Sequence, residues 1–145
     1  MIRINKTYSA KNVEKNLNIG YNDIIIKIKV GEKMINLILS GNEKVFDGAL
    51  TELISITNKI KEPINCYILT MEVTRIKKEY TAIKDEQIDF LNKVVKTKNA
   101  DNKITKIDVT DLYEKEFGKC KNENAYCTPY TLLRLFIDLI PNMPE

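Results

Sequence analysis

Apolar and polar residues alternate across residues 22–41, and this alternation predicts the first strands of the fold. Positions 24, 26, 28 and 30 are all Ile or Val, with Lys at 27 and 29, and positions 35, 37 and 39 are Ile or Leu. Alternation with a period of two places these apolar side chains on one face of a pair of strands. The intervening Gly31-Glu32-Lys33 has the composition of a turn, so residues 22–41 predict a β-hairpin.

Three other segments carry strand signals. Residues 64–73 are apolar at both alternating sets of positions over their first half, which is typical of a strand in the middle of a sheet. Residues 104–109 form a short apolar run, and residues 2–5 alternate as an edge strand does. Residues 75–84 fit either a helix or a strand and contain no Gly, Pro or Asn, so both interpretations stay open there.

Apolar residues spaced three or four apart predict helices between these strands. The clearest helix spans residues 45–61, whose apolar residues fall on one arc, and it ends before Pro63. Another begins near Asp85 and ends in lysines, as the helix dipole favours. Shorter helices are predicted over residues 9–20 and 110–118, and Thr110 is the expected N-cap of the second.

The last predicted helix spans residues 128–140 and is unusually apolar. Thr128 is its expected N-cap, Pro129 lies in its first turn and Pro141 ends it. Such a helix is buried on most sides. We expect it to lie in the core of the domain, and a homodimer interface through this C-terminal helix is the alternative.

The order of these elements predicts an α+β fold. We expect a two-layer sandwich with a mostly antiparallel sheet, built on the central hairpin at 22–41, and with the helices packed on one face. The 145 residues show no internal repeat and no linker rich in Gly, Pro or Ser. One globular domain over residues 1–145 is therefore expected.

Composition and charge narrow the function only slightly. The 23 basic and 20 acidic residues give a net charge of +3 and are interleaved along the chain. This balance is too mild to indicate nucleic acid or membrane. The chain has no long apolar run and no N-terminal leader pattern, so we expect a cytoplasmic protein without a membrane partner. Its many Lys, Ile and Asn residues have AT-rich codons and suggest a low-GC bacterium or a mobile element.

The three cysteines are expected to be free thiols, because disulfides are rare in cytosolic proteins. Cys66 lies in an apolar run and should be a core residue, whereas Cys120 and Cys127 flank a polar segment. The chain contains no histidine. A zinc site would therefore need Cys66 or carboxylates as further ligands, and we predict neither a metal nor another cofactor.

The lack of histidine also excludes several classes of enzyme. Ser-His-Asp and Cys-His mechanisms and His-ligated zinc hydrolysis are ruled out, and no glycine-rich phosphate-binding motif is present. Carboxylates do cluster at Asp108, Asp111, Glu114 and Glu116. A carboxylate-metal hydrolase is thus an alternative, but acids on an exposed short helix explain the same residues. We predict no catalytic residue and no enzyme activity.

The best candidate binding surface is the basic run over residues 75–84. The residues predicted to contact a partner are Lys77, Lys78, Tyr80, Lys84, Tyr113 and Tyr126. Tyrosine is enriched among the residues that dominate binding energy in protein interfaces. Tyr80 also fits an inward orientation, towards Ile76 and Ile83. A nucleic-acid platform would carry more aromatic residues beside its cations, so nucleic acid is the alternative partner and another protein the main prediction.

Small single-domain proteins without catalytic groups are often dedicated binders of other proteins. We therefore expect a non-catalytic protein-binding inhibitor, and most specifically an immunity protein that neutralises a cognate bacterial toxin. The alternatives are an anti-defence inhibitor carried by a phage or mobile element, which would bind a defence effector, a nucleic-acid-binding module, and a carboxylate-metal hydrolase.

Overall fold

Three adjacent parallel strands organise the fold. The computed structural model describes residues 3–5, 34–118, 120, 123, 128–141 and 143. Within them, one sheet has the strand order β1 (Arg3–Asn5), β2 (Ile35–Ser40), β3 (Ile64–Thr70) and β4 (Lys103–Asp108). β1 pairs antiparallel with β2, whereas β2, β3 and β4 run parallel to one another. β3 has strands on both sides and is apolar on both faces, as its sequence predicts.

The prediction of a mostly antiparallel sheet is wrong. β2 corresponds to the second arm of the predicted hairpin, but β1 and β3 occupy its two hydrogen-bonding edges. The predicted first arm and turn, over 22–33, lie outside the described residues, as does the helix predicted over 9–20. After residue 35 the chain alternates strands with 12-residue helices. This alternation is the sequence signal for parallel pairing, because each helix returns the chain to the end of the sheet at which the previous strand began.

The helices begin close to where their sequence signals place them. α1 (Phe46–Thr57) follows a short 3₁₀ turn, Glu43–Val45, that is capped by the side chain of Asn42. α2 (Asp85–Lys96) begins at the predicted residue, with Lys84 at the N-cap. α3 (Thr110–Phe117) begins with Thr110 in the first turn, so Val109 and not Thr110 is its N-cap. Residues 75–84 form neither helix nor strand.

The helices cover both faces of the sheet, so the prediction that they pack on one face is also wrong. α1 and α2 lie together on the face where Leu37, Cys66 and Ile104 are neighbours across the three parallel strands. α3 and the C-terminal 3₁₀ helix (Pro129–Leu139) share a second apolar cluster with Ile38 and Leu69 of the opposite face. The alternate residues of β3 thus serve two cores, which explains why this strand has no polar face.

The C-terminal helix differs from its prediction in pitch and in burial. It begins at Pro129 as expected, but it is a 3₁₀ helix, with three residues per turn. It buries Tyr130, Leu133 and Phe136, which are spaced by three and therefore share one face. Leu135 and Leu139 are 60% and 57% exposed, so the helix is not buried on most sides. Among the described residues, no helix has the length and apolar character needed to cross a membrane.

The thiol of Cys66 should be unreactive in the folded protein. Cys66 is completely buried, and burial raises the pKa of its thiol to about 12, so almost none of it is the reactive thiolate at neutral pH. We expect a Cys120→Ser/Cys127→Ser double variant, which retains Cys66 alone, to react with a thiol reagent only after denaturant is added. The matched Cys66→Ser variant keeps the exposed Cys120 and should react at once. Fast reaction of the double variant without denaturant would show that β3 is not buried.

Candidate functional site

The carboxyl ends of the parallel strands bring several polar segments to one edge of the sheet. β2, β3 and β4 end at Ser40, Thr70 and Asp108, and α1, α2 and α3 begin in the segments that follow. We call this side of the sheet the carboxyl edge. In open sheets with parallel strands, ligands bind outside the carboxyl ends of the strands. The carboxyl edge is therefore the natural place to look for a functional site.

Among the residues that the structure describes, the longest irregular connection at this edge is the loop over residues 71–84, which joins β3 to α2. Val73 donates its backbone N–H to the carbonyl of Tyr80 (2.9 Å), and Tyr80 donates its own to the carbonyl of Lys77 (2.9 Å). These bonds close a compact turn. Met71, Val73, Tyr80 and Ile83 are buried beneath it. The 71–84 loop thus has its own apolar anchors and internal hydrogen bonds.

Hydrogen bonds from three neighbouring segments fix the 71–84 loop to the rest of the fold. At its end, the N–H of Ile83 donates to the hydroxyl of Thr70 (3.0 Å) in β3. At its start, the N–H of Glu72 donates to the hydroxyl of Thr110 (2.9 Å) in α3. Near α1, the carbonyl of Thr81 accepts from the N–H of Glu43 (3.0 Å). Because these bonds involve loop backbone or neighbouring hydroxyls, they hold the loop whatever its exposed side chains are.

The predicted basic residues lie on the exposed side of this loop. Lys77 and Lys44 both approach the carboxylate of Glu79, at 3.0 and 3.3 Å, and the hydrogen bond from Lys77 is the main cause that lowers the pKa of Glu79. Lys84 pairs with Glu43 at 2.6 Å. Lys78 is exposed and takes part in no ion pair among the residues that the structure describes. Lys78 is therefore the basic side chain of the loop with its charge open to a partner.

Two of the predicted contact tyrosines are core residues instead. Tyr80 packs edge-on against the ring of Tyr130, with 5.5 Å between ring centroids, as its alternative inward orientation required. Tyr113 is buried on the inner side of α3. Tyr126 lies outside the described residues. Tyr80 and Tyr113 can support a binding surface from below, but their rings do not reach a partner's side chains.

Arg75 joins the 71–84 loop to α3 and to Glu123. Its Nε and Nη2 atoms donate to the two carboxylate oxygens of Glu114, at 2.8 and 2.9 Å. Nη2 also donates to Glu123 (2.7 Å), and Nη1 contacts the second oxygen of the same carboxylate. The hydroxyl of Tyr113 donates to Glu123 as well (2.8 Å). The planar guanidinium is suited to binding two carboxylates at once. We call these four residues the Arg75 cluster.

The charges of the Arg75 cluster shift each other's pKa in the directions expected for paired groups. The hydrogen bond from Arg75 is the main cause that lowers the pKa of Glu123, and the same contact raises the pKa of Arg75 further. Burial, assisted by the neighbouring carboxylate of Glu123, raises the pKa of the Tyr113 hydroxyl. Tyr113 therefore stays protonated and acts as a donor throughout the neutral range.

The Arg75 cluster should make stability depend on pH through Glu123. The pKa of Glu123 lies below its ordinary value of 4.5, so its contribution to stability is present above that value and is lost as the pH falls through the folded pKa. We expect Glu123→Gln to lower the free energy of unfolding at pH 7 by about 1 kcal/mol or less, since Arg75 is partly exposed. The difference from wild type, measured by urea unfolding, should vanish in strong acid. Glu116→Gln, at an exposed carboxylate, is the control, and a difference that persists in acid would contradict the assignment.

An open cavity of about 550 Å³ lies beside the Arg75 cluster at the carboxyl ends of β3 and β4. Its charged lining consists of Glu72, Arg75, Asp108, Asp111 and Glu114. The structure therefore brings together three of the four clustered carboxylates noted in the sequence and adds Glu72. Within the described parts of the chain, however, no three of these or other acidic or cysteine side chains are placed to hold one metal ion. The cavity is an acidic pocket without the geometry of a metal site.

Sequence reasoning missed the role of Arg75. Its partners lie 39 and 48 residues away along the chain, so no local spacing indicates them. Its place at the start of an irregular segment was a weak signal at most. Comparison with known proteins assigns no family, because no family model, curated protein or solved structure matches the chain. The geometry of the carboxyl edge is therefore the basis for proposing a function.

Proposed function

We propose that the protein is a non-catalytic inhibitor that binds another protein stoichiometrically, as a cytoplasmic immunity protein against a bacterial toxin. The observation that supports this proposal is the 71–84 loop. It has no helix or strand, yet buried side chains, internal hydrogen bonds and bonds to three neighbouring segments fix its backbone. Long irregular loops inside compact domains are usually functional, and recognition residues are often carried on loops above a rigid scaffold.

A fixed loop favours binding for a thermodynamic reason. Association costs conformational entropy whenever a loop must be ordered at the interface, and a loop that is ordered beforehand avoids most of that cost. The backbone bonds at Val73, Ile83 and Glu72 give the 71–84 loop this property. Lys78 then stands on its exposed side, beside the Lys77–Glu79 ion pair, where its charge fits an acidic surface of a partner protein.

The acidic pocket weighs against the nucleic-acid alternative. Nucleic acid would bind Lys77, Lys78 and Lys84 through its phosphates. The carboxylates that line the pocket, including Glu72 of the loop itself and Asp108 beside it, would repel a phosphate backbone. A protein partner can match lysines and carboxylates side by side, whereas a uniformly negative backbone cannot. An anti-defence inhibitor would use the same surface, and the neighbouring gene distinguishes it from an immunity protein.

The test is co-purification with the product of the adjacent gene, followed by a substitution in the loop. We expect a complex of fixed stoichiometry, and we expect Lys78→Glu to weaken it about tenfold without changing the melting temperature. Lys59→Glu reverses another exposed charge, after α1, and should leave binding unchanged. Recovery of nucleic acid alone, released at high salt, would contradict the proposal in favour of the nucleic-acid alternative.

A further inference from the structure

The outer face of α2 carries an apolar surface that is distinct from the 71–84 loop and from the C-terminal helix. Phe90 is 48% exposed there, which is unusual for a phenylalanine in a small domain. Its ring contacts the ring of Phe46 in α1, with 5.9 Å between centroids. Ile54, two turns after Phe46 in α1, is 37% exposed. Phe46 and Phe90 thus form a small apolar surface across the two helices, which pack together on the same face of the sheet, and Ile54 lies apart from it, about 80° further around α1 from Phe46.

Charges of opposite sign lie on either side of Phe90 along α2. Glu86 and Lys93 are exposed and seven residues apart, so they lie nearly on one line of the helix and about 10 Å apart along its axis. Phe90 falls between them. Neither Glu86 nor Lys93 forms an ion pair with any other residue that the structure describes. Both charges are thus available to a second molecule.

This arrangement is complementary to itself under a two-fold rotation. If two copies of α2 cross antiparallel at Phe90, Glu86 of one copy faces Lys93 of the other, and the second pair follows by symmetry. The two Phe90 rings then meet at the axis and remove each other from water. Because the acid, the exposed aromatic residue and the base follow one another in this order, a second copy of the same face is complementary to it. A partner protein of different chemistry is not required.

We propose that the protein forms a symmetric homodimer through the Phe90 surface, which we define as Phe46, Glu86, Phe90 and Lys93. α1 and α2 have 12 residues each and are therefore about 18 Å long, so the contact is smaller than the roughly 800 Å² per partner of a standard interface. The dimer is accordingly weak and depends on protein concentration. Its ion pairs are exposed at the rim, so it dissociates more readily at high salt.

The C-terminal helix is the competing dimer surface, and its geometry is less suited to this role. Leu135 and Leu139 are the most exposed of the large apolar residues that the structure describes. In a 3₁₀ helix, however, residues four apart point about 120° away from each other. The two leucines therefore do not form one apolar stripe, whereas Phe46 and Phe90 are in direct contact.

Charge reversal and restoration test the proposed dimer. Sedimentation equilibrium of the wild-type protein over a wide range of concentration should show a monomer–dimer equilibrium. Glu86→Lys and Lys93→Glu should each weaken self-association about tenfold, because each creates two like-charged contacts in the homodimer. An equimolar mixture of the two variants should associate again, because a mixed dimer pairs the two lysines of one variant with the two glutamates of the other. Phe90→Ala should also weaken the dimer.

Two control variants distinguish this interface from the alternatives. Lys103→Glu reverses an exposed charge on β4 and should not alter self-association, and neither should Leu135→Ala in the C-terminal helix. Thermal unfolding of each variant checks that it is folded. A wild-type protein that stays monomeric at every concentration would overturn the proposal. So would a dimer that survives Phe90→Ala and both reversals, or one that is lost in Leu135→Ala.

Discussion

Replacing Phe136 by alanine should lower the free energy of unfolding by about 3–5 kcal/mol. Phe136 is only 2% exposed and packs against the rings of Tyr113 and Phe117, at centroid distances of 6.3 and 5.6 Å. Removing its ring takes away apolar contact and leaves a cavity that the two remaining rings can fill only in part. The effect should appear in urea unfolding as a lower midpoint with an unchanged slope.

The neighbouring residue provides the control for Phe136. Leu135 is 60% exposed, so Leu135→Ala should change the free energy of unfolding by about 0.5 kcal/mol or less. The contrast follows from the face on which each residue lies, because consecutive residues of a 3₁₀ helix point about 120° apart and only Phe136 faces the sheet. Equal losses for the two variants would show that the C-terminal segment does not dock as described.

Replacing Asn102 by alanine should lower the free energy of unfolding by about 1–3 kcal/mol, which is large for a polar residue outside any helix or strand. Asn102 is buried, and its side-chain oxygen accepts from the N–H of Ile64 at the start of β3 (2.9 Å). Its amide donates to the carbonyl of Val95 at the end of α2 (2.8 Å). Alanine would leave the buried N–H of Ile64 without a partner, which costs more than the hydrogen bond itself contributes, whereas the carbonyl of Val95 would keep the N–H groups of Lys98 and Asn99.

Asp101→Ala is the matched control for Asn102. Asp101 is adjacent in the same loop, but its side chain is exposed, so the substitution should be nearly neutral in urea unfolding. A small effect of Asn102→Ala would imply that water satisfies the N–H of Ile64 in the variant. That result would contradict the buried position of Asn102.

The positions of the elements could be predicted from the sequence because their signals are local. The apolar arc of α1, the start of α2 at Asp85 and the two apolar faces of β3 are all confirmed. Each depends on spacings of two to four residues, which backbone geometry translates directly into a helix or a strand. The alternation of strands and helices after residue 35 also indicates the parallel topology. The apolar repeat at 22–41, however, suggested a hairpin and led to the wrong prediction of a mostly antiparallel sheet.

The candidate site could be predicted only in part. Lys77, Lys78 and Lys84 are exposed as expected, and the carboxylates near Asp108 do meet, although not as a metal site within the described residues. The sequence did not determine whether the side chains of Tyr80 and Tyr113 point into the core, because a tyrosine suits a surface or a core equally well. Their burial depends on which ring or backbone group stands opposite, as Tyr130 does for Tyr80.

By itself, the sequence determined approximately where α1, α2, α3, β3 and β4 lie, that Cys66 is a core residue and that histidine chemistry is excluded. The tertiary structure decided the direction of the strands, the use of both sheet faces, the 3₁₀ pitch of the C-terminal helix, and the partners of Arg75 and Asn102. The physical reason is the separation along the chain over which each kind of interaction acts. Propensity and periodicity act within one or two turns of chain, whereas a buried hydrogen bond or ion pair forms between groups that only the complete fold brings together.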